Sequence, residues 1–207
     1  REFSDCATVI IKHTNPCGVA VGKTPLEAYE RAYDADPVSA YGGILAFNRV
    51  VHTDCAKALR DRFYEVIVAP EFSPEAREIL AQKTNLRLVV ISRGENSLGW
   101  KVKSVEGGYL VQEDDFGFSP VENWEVVTKT KPTAEDVYEL AFAWRVVKHV
   151  KSNAILISKE GQTLGVGAGQ MNRVGSVKIA LEQAGEKARG AYLASDAFLS
   201  LIHISEP

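Results

Sequence analysis

The sequence is poor in sulfur and lacks the residue spacings that bind structural metals or build disulfide frameworks. Its 207 residues include three cysteines and one methionine. Cys6, Cys17 and Cys55 are odd in number, and no two of them form a CxxC pair. We therefore predict reduced thiols in a cytoplasmic protein, with no bound metal.

Long apolar runs and a basic surplus are missing as well. No apolar stretch reaches the roughly 18–20 residues that a membrane-spanning helix needs. The formal net charge is -3, whereas domains that bind long nucleic acids usually carry a basic surplus. We predict neither a membrane nor a nucleic acid polymer as a partner. A small anionic ligand stays compatible with this charge, because a few local basic groups and backbone N–H groups can bind one.

The sequence does contain alternating strand and helix signals on an ordinary globular composition, 45% hydrophobic and 25% charged. Short β-branched apolar runs predict buried strands, and hydroxyl or Pro residues before amphipathic stretches predict helix starts. This order predicts an α/β fold with a layered α/β/α arrangement. The predicted strands lie at residues 8–11, 44–47, 65–70, 86–92 and 152–158, and the predicted helices begin at Thr24, His52, Ser73, Thr133 and Val177.

The pattern changes between residues 93 and 123. There "WKVKSVEGGYLVQ" alternates polar and apolar residues around a Gly-Gly pair, which predicts an antiparallel hairpin. We interpret 1–123 as a first lobe with this hairpin inserted at about 93–123, and 124–198 as the start of a second lobe. Residues 199–207, "LSLIHISEP", break the pattern, and we expect them to be a non-native tail on a fragment of a longer protein.

The stretch "IIKHTNPCGVAVG" places Lys12 and His13 at the end of a predicted buried strand. The ends of strands in α/β sheets often carry ligand-binding groups. The charge of Lys12 favours a neutral imidazole on His13, which could accept a proton near pH 7. Residues 15–18 carry Pro second and Gly fourth, which predicts a type I turn. A solvated strand end without chemistry explains the two residues alone equally well.

Two glycine-containing loops are further candidates. Gly42 follows "SAY" and could let a ligand approach the backbone, although a plain loop is the commoner explanation. The glycines of "GVGAGQMNR" do not fit a dinucleotide fingerprint, and a bulged or tightly approached backbone explains them better. Arg173 at the end of that loop is a candidate anion clamp. Asn153 precedes a strand and is either a ligand group or a turn residue, while we interpret Asp136 and Glu139 as solvated.

Together, several segments resemble a known family more specifically than any one of them does. The resemblance is to the transformylase domain of the bifunctional purine-biosynthesis family, bacterial type, in which 5-aminoimidazole-4-carboxamide ribonucleotide (AICAR) formyltransferase is joined to inosine monophosphate cyclohydrolase. It covers Asp5 to Phe198. The segments are "KHTNPCGVAVG", "DPVSAYGGILAFN", "EVIVAPEF", "KSNAI", "GVGAGQMNRV" and "SDAF", in that order.

The resemblance implies two cytidine-deaminase-like lobes, the second incomplete in this chain, and a homodimer. It implies transfer of a formyl group from 10-formyltetrahydrofolate, a cosubstrate, to the 5-amino group of AICAR, with no tightly bound cofactor. The attacking group is a weak aromatic amine, so a base must remove its proton, and His13 suits that role. The oxyanion of the tetrahedral intermediate needs a positive charge beside it, and Lys12 suits that role. The residues implied are Lys12, His13 and Asn153 as catalytic, with Asn153 orienting the carboxamide or imidazole, and Gly42, Glu65, Arg173 and Phe198 as substrate-binding.

Three departures from the family pattern bear on these expectations. The cyclohydrolase domain is absent from this chain, and the continuation after "SDAF" is replaced, so we expect the chain alone to be inactive. The zinc signature of deaminases is missing, with no HxE and no CxxC. Two alternatives remain, a zinc-dependent nucleobase deaminase-like hydrolase and a nucleotide-binding module without turnover.

Overall fold

The computed structural model describes residues 2–91, 99–115 and 117–197, which form alternating strands and helices. Phe198 and the expected tail lie outside the described residues, as do the first residues of the predicted insertion. The elements are β1 (Ala7–Lys12), β2 (Asn15–Val21), α1 (Pro25–Ala35), α2 (Pro37–Ala40), β3 (Gly43–Phe47), α3 (Thr53–Arg60), β4 (Tyr64–Ala69), α4 (Pro74–Ala81), β5 (Arg87–Val90), β6 (Trp100–Val105), β7 (Gly108–Glu113), α5 (Ala134–Val147), β8 (Ile155–Lys159), β9 (Gln162–Gly167), α6 (Arg173–Ala184) and β10 (Tyr192–Ser195).

A mixed eight-stranded sheet organises the chain, in the order β10-β8-β9-β2-β1-β3-β4-β5. β3, β4 and β5 pair in parallel, and the other neighbouring strands of this sheet pair antiparallel. β6 and β7 form the separate hairpin predicted from the alternating pattern. The strands of both predicted lobes meet where Ala20 of β2 pairs with Gln162 of β9. The division into lobes at residue 123 stays a prediction.

Helices cover both faces of this sheet, as the alternation of side chains along its strands shows. On β2, Ala20 packs into the cluster of α1, α3 and α4, while its neighbour Val19 packs against α5. On β8, Ile155 packs against α6, and Leu156 packs against α5. Because consecutive strand residues point to opposite faces, α5 lies on one face, and α1, α3, α4 and α6 lie on the opposite one. The predicted layered α/β/α class is confirmed.

Local capping explains where the helices begin. The Thr24 hydroxyl accepts the Glu27 N–H at 3.2 Å, and the Glu27 carboxylate accepts the Lys23 N–H at 2.8 Å. Thr133 and Asp136 form the reciprocal capping box of α5, at 3.2 and 2.7 Å. Such pairs satisfy N–H groups that no helical carbonyl can reach. The starts of α1 and α5 predicted from the sequence are confirmed.

Two predictions about the helices are wrong. The last helix begins at Arg173, four residues before the predicted start, because the Asn172 side chain caps it by accepting the Gly175 N–H at 2.7 Å. Glu139 is buried rather than solvated, and Asp136 is half-buried. Glu139 is 6% exposed and accepts the Gly161 N–H at 3.1 Å, while Asp136 also accepts the Tyr192 hydroxyl. Both carboxylates therefore fasten α5 to other parts of the fold, Glu139 to the turn before β9 and Asp136 to β10.

Two units of the same kind flank the centre of the sheet: β1–β2–α1 and β8–β9–α6. In each, a glycine lets the helix approach the second strand. A Cβ at Gly18 would lie 2.0 Å from the Ala32 carbonyl oxygen, and one at Gly165 would lie 2.0 Å from the Ala180 carbonyl oxygen. Side chains cannot fit at such distances. The predicted close backbone approach in "GVGAG" is confirmed.

Gly165→Ala is expected to destabilise the chain by about 1–3 kcal/mol, because the new methyl group meets a helix backbone atom that cannot rotate away. Urea unfolding followed by circular dichroism measures this change. Gly108→Ala is the matched control, since a Cβ there meets nothing within 4 Å. Equal unfolding midpoints for the two variants would contradict the tight packing of α6 on β9.

Candidate functional site

Lys12 and His13 lie at a tight hairpin turn between β1 and β2. Lys12 pairs with Asn15, and the two residues between them, His13 and Thr14, have φ angles of 48° and 66°. Two left-handed residues joining antiparallel strands are the signature of a type I′ turn. The turn predicted at 15–18 is therefore wrong, because β2 already begins at Asn15 and Pro16 lies where the strand register shifts.

The turn presents His13 to solvent in an uncommon backbone conformation. His13 is exposed, and its ring makes no hydrogen bond to any of the described residues. A left-handed φ is uncommon outside glycine, although His, Asn and Asp adopt it more readily than other residues. Such backbone strain persists where the surrounding structure imposes it, and it concentrates at functional sites.

Lys12 is held beside Gly42, another of the predicted site residues. The Lys12 Nζ donates to the Tyr41 carbonyl at 2.5 Å. Gly42 has a φ of +68°, and a Cβ there would lie 3.1 Å from the Lys12 Nζ and 3.4 Å from the Phe63 ring. The Gly42 N–H donates to the Phe63 carbonyl at 2.9 Å, and the Tyr41 and Phe63 rings pack 5.2 Å apart. The ammonium group is thus held at the C-terminal end of β1, beside the start of β3.

Asn153 lies on a loop that is fastened to the same turn. The Asn15 Oδ1 accepts the Lys151 N–H at 2.9 Å, two residues before Asn153. The Asn153 Nδ2 donates to the Gln170 carbonyl at 2.8 Å, and the Asn153 carbonyl accepts the Ser176 hydroxyl at 2.6 Å. The structure therefore brings Lys12, His13 and Asn153 to one end of the adjacent strands.

Arg173 is engaged in an ion pair. Its Nη1 lies 2.5 Å from the Asp196 Oδ1 and donates to the Ser195 hydroxyl at 2.7 Å, with 14% and 18% of the Arg173 and Asp196 side chains exposed. Burial would raise the pKa of Asp196, but hydrogen bonds from Ser152, Arg173 and the Ala154 N–H lower it overall. An anionic ligand at Arg173 would compete with this carboxylate.

Glu65, another predicted site residue, makes its ion pair outside this group. Glu65 is the second residue of β4. Its carboxylate forms an ion pair with Arg87 at 3.1 Å, and 47% of the Glu65 side chain is exposed. No hydrogen bond or ion pair joins Glu65 to Lys12, His13 or Asn153. Phe198 lies outside the described residues. The roles of both residues stay predictions.

Sequence reasoning missed three groups that build this site. The Tyr41 carbonyl holds Lys12, the Asn15 amide joins the turn to the Asn153 loop, and Asp196 neutralises Arg173. Tyr41 and Asp196 lie inside quoted motifs, but nothing in their spacing indicated contacts with residues 29 and 23 positions away. The sequence pattern places Asn15 in a turn and gives no sign of a contact with the Asn153 loop.

A cavity of about 380 Å³ lies on the α5 side of the sheet. It is bordered by Ile11, Thr14, Pro16, Val146 and His149, among others, but not by Lys12 or His13. We therefore place no reactant in it.

Across the part of the chain that the structure describes, no group of three His, Cys, Asp or Glu residues could hold a metal ion. No helix within those described ranges has the length and apolar character of a membrane span.

Comparison with known proteins gives the family of this chain. Residues 1–183 match the family described as AICARFT/IMPCHase bienzyme. The bifunctional purine biosynthesis protein PurH of Desulfitobacterium hafniense (strain DSM 10664 / DCB-2) is 66% identical over 200 residues, 96% of this chain and 39% of the relative. PurH of Acaryochloris marina is 55% identical over 201 residues, 95% of this chain and 38% of the relative.

PurH of Anoxybacillus flavithermus is 53% identical over 201 residues, 97% of this chain and 39% of that relative. The chain therefore spans about 39% of the length of the relatives it matches. The family resemblance seen in the motifs is confirmed by these matches. This chain belongs to the AICARFT/IMPCHase bienzyme family.

Proposed function

We propose that this chain carries the acid–base centre of a formyl transfer from 10-formyltetrahydrofolate to the 5-amino group of AICAR, in purine biosynthesis. The observation that carries the proposal is the type I′ turn, which exposes His13 next to a Lys12 ammonium fixed on the Tyr41 carbonyl. The family name and the PurH relatives support the same chemistry. Asn153, fastened to the turn through Asn15, supplies an amide that can orient the substrate.

The residues divide the reaction between them. The 5-amino nitrogen attacks the formyl carbon, and the neutral His13 imidazole accepts the proton that this nitrogen loses as the bond forms. Lys12 stabilises the oxyanion of the tetrahedral intermediate through its ammonium group. When the bond from the formyl carbon to the folate nitrogen breaks, the His13 imidazolium returns its proton to that nitrogen. The products are the formylated nucleotide and tetrahydrofolate, so atoms and charge balance.

Substrate binding falls to the remaining predicted residues. The flat guanidinium of Arg173 suits an anionic group of the nucleotide, which would replace Asp196 as its partner. Gly42 leaves room for the Lys12 ammonium, and Glu65 and Phe198 are proposed to contact substrate.

We also propose that the full-length protein is a cytoplasmic homodimer that uses folate as a cosubstrate. Sedimentation equilibrium tests the dimer, and a monomer across micromolar concentrations would contradict it.

Arg173→Ala is expected to raise KM for AICAR about 10-fold or more while changing KM for the folate less, because a charge-assisted contact to one reactant is lost. Steady-state kinetics with each substrate varied in turn measure the two values in the full-length protein. Arg189→Ala is the control, since that arginine is 85% exposed at its side chain and pairs only with Glu186. Equal rises in both KM values would indicate a general disturbance of the fold.

A product assay on the full-length protein separates the proposal from its alternatives. Formyl transfer predicts stoichiometric formation of formylated AICAR and tetrahydrofolate. A deaminase-like hydrolase would release ammonia from a nucleobase and retain stoichiometric zinc. A binding module would bind AICAR and form no product with either reactant. Either of the last two results would overturn the proposed function.

A further inference from the structure

A side-chain hydrogen bond joins the two segments that carry the proposed catalytic residues. Asn15 follows the turn directly and pairs with Lys12 in the register of β1 and β2. Its Oδ1 accepts the Lys151 N–H at 2.9 Å, between residues 136 positions apart in sequence. The bond therefore spans the gap between the turn with His13 and the loop with Asn153.

The loop that Asn15 holds is anchored on its other side by backbone contacts. The Lys151 carbonyl accepts the Gly169 N–H at 2.8 Å, and the Asn153 N–H and Nδ2 both donate to the Gln170 carbonyl, at 3.3 and 2.8 Å. Residues 151–153 are thus fixed to the segment before α6. Asn15 then sets where that whole assembly lies relative to Lys12 and His13.

The second hairpin shows that a turn of this type can form with a different side-chain contact at the same position. Lys159 and Gln162 flank Glu160 and Gly161, whose φ angles are 53° and 63°. Gln162 occupies the position that corresponds to Asn15, but its amide donates to the Arg31 carbonyl of α1 at 2.8 Å. The hairpin forms equally well there. The contact of Asn15 with the loop is therefore specific to the turn that carries His13.

We propose that Asn15 is a positioning residue, which holds Asn153 in register with Lys12 and His13 during formyl transfer. The proposal rests on the proposed function. Asn15 acts through Lys151 and contacts neither reactant. A displacement of about 1 Å between groups that must meet in the transition state can cost on the order of 10²-fold in rate. Loss of the tether is therefore expected to lower kcat more than it changes either KM.

The kinetic test uses the full-length protein with Asn15→Ala, Asn15→Asp and a control. Asn15→Ala is expected to lower kcat about 10- to 100-fold, and Asn15→Asp to recover most of that loss because a carboxylate oxygen accepts the same N–H. Gln183→Ala is the control, since Gln183 also accepts a backbone N–H, from Val166, at 2.9 Å.

Amide hydrogen exchange at Lys151 tests the tether without any assay of activity. Exchange there is expected to be about tenfold faster in Asn15→Ala, the effect of one typical hydrogen bond, and unchanged in Asn15→Asp and Gln183→Ala. Unchanged exchange in Asn15→Ala would overturn the inference. So would wild-type kcat in Asn15→Ala, or a kcat loss that only matches its unfolded fraction. Absence of formyl transfer in the unaltered protein would instead overturn the proposed function, with the exchange data still deciding the tether.

Discussion

Replacement of His13 with alanine is expected to lower kcat for formyl transfer by about 10²–10⁴-fold, the usual contribution of a general acid–base group. His13 is exposed at the turn, and no described residue makes a hydrogen bond to its ring and could replace its function. AICAR binding is expected to remain, because the proposed anion contact belongs to Arg173. Steady-state kinetics and calorimetric binding of AICAR to the full-length protein measure the two quantities separately.

The left-handed backbone of His13 requires a second variant as control. Alanine at a φ of 48° adds backbone strain that has nothing to do with proton transfer. Asparagine adopts this conformation readily but cannot act as the base near pH 7, so His13→Asn keeps the turn and removes the chemistry. Both variants are expected to be equally inactive. Near-normal kcat in His13→Asn would remove His13 from the mechanism.

Lys12→Arg is expected to lower kcat by about 10²-fold although the positive charge is kept. The Lys12 Nζ occupies a narrow position, with the Tyr41 carbonyl on one side and the backbone of Gly42 on the other. A guanidinium is a wider, planar group, so it cannot occupy that point. Single-turnover kinetics measure the chemical step without a contribution from product release.

The second hairpin supplies the matched control for this substitution. Lys159 lies at the position that corresponds to Lys12 and flanks a turn of the same geometry. Lys159→Arg is expected to leave the single-turnover rate unchanged, because none of the proposed catalytic residues lies at that turn. Normal turnover by Lys12→Arg would show that the site needs only a positive charge there.

The elements of the fold could be predicted where local chemistry decides them. Thr24, Pro25 and Thr133 carry the capping signals that begin α1 and α5, and these contacts form within four residues of sequence. The turn at His13 and Thr14 could not be predicted, because its positive φ angles occur at residues without the usual Asn-Gly or Gly signal. The stronger signal in "NPCG" belongs instead to a strand with a shifted register.

In the candidate site, too, the residues could be predicted from local sequence but their partners could not. Strand-end position and family resemblance together indicated Lys12, His13 and Asn153, and the structure brings them to one end of the sheet. The partners of these residues come from distant parts of the chain. Asp196 beside Arg173 and the tether from Asn15 to Lys151 depend on how β2, β9 and α6 pack, and no local pattern encodes that packing.

The most direct test of formyl transfer at this turn is a single-turnover experiment with 10-formyltetrahydrofolate labelled in its formyl carbon. The full-length protein, a Lys12→Arg/His13→Asn double variant and the Lys159→Arg control are each mixed with AICAR and quenched. The label is expected on the 5-amino nitrogen of AICAR with the unaltered protein and with Lys159→Arg, and to remain on the folate with the double variant. Label transfer by the double variant at the rate of the unaltered protein would contradict a catalytic centre at Lys12 and His13.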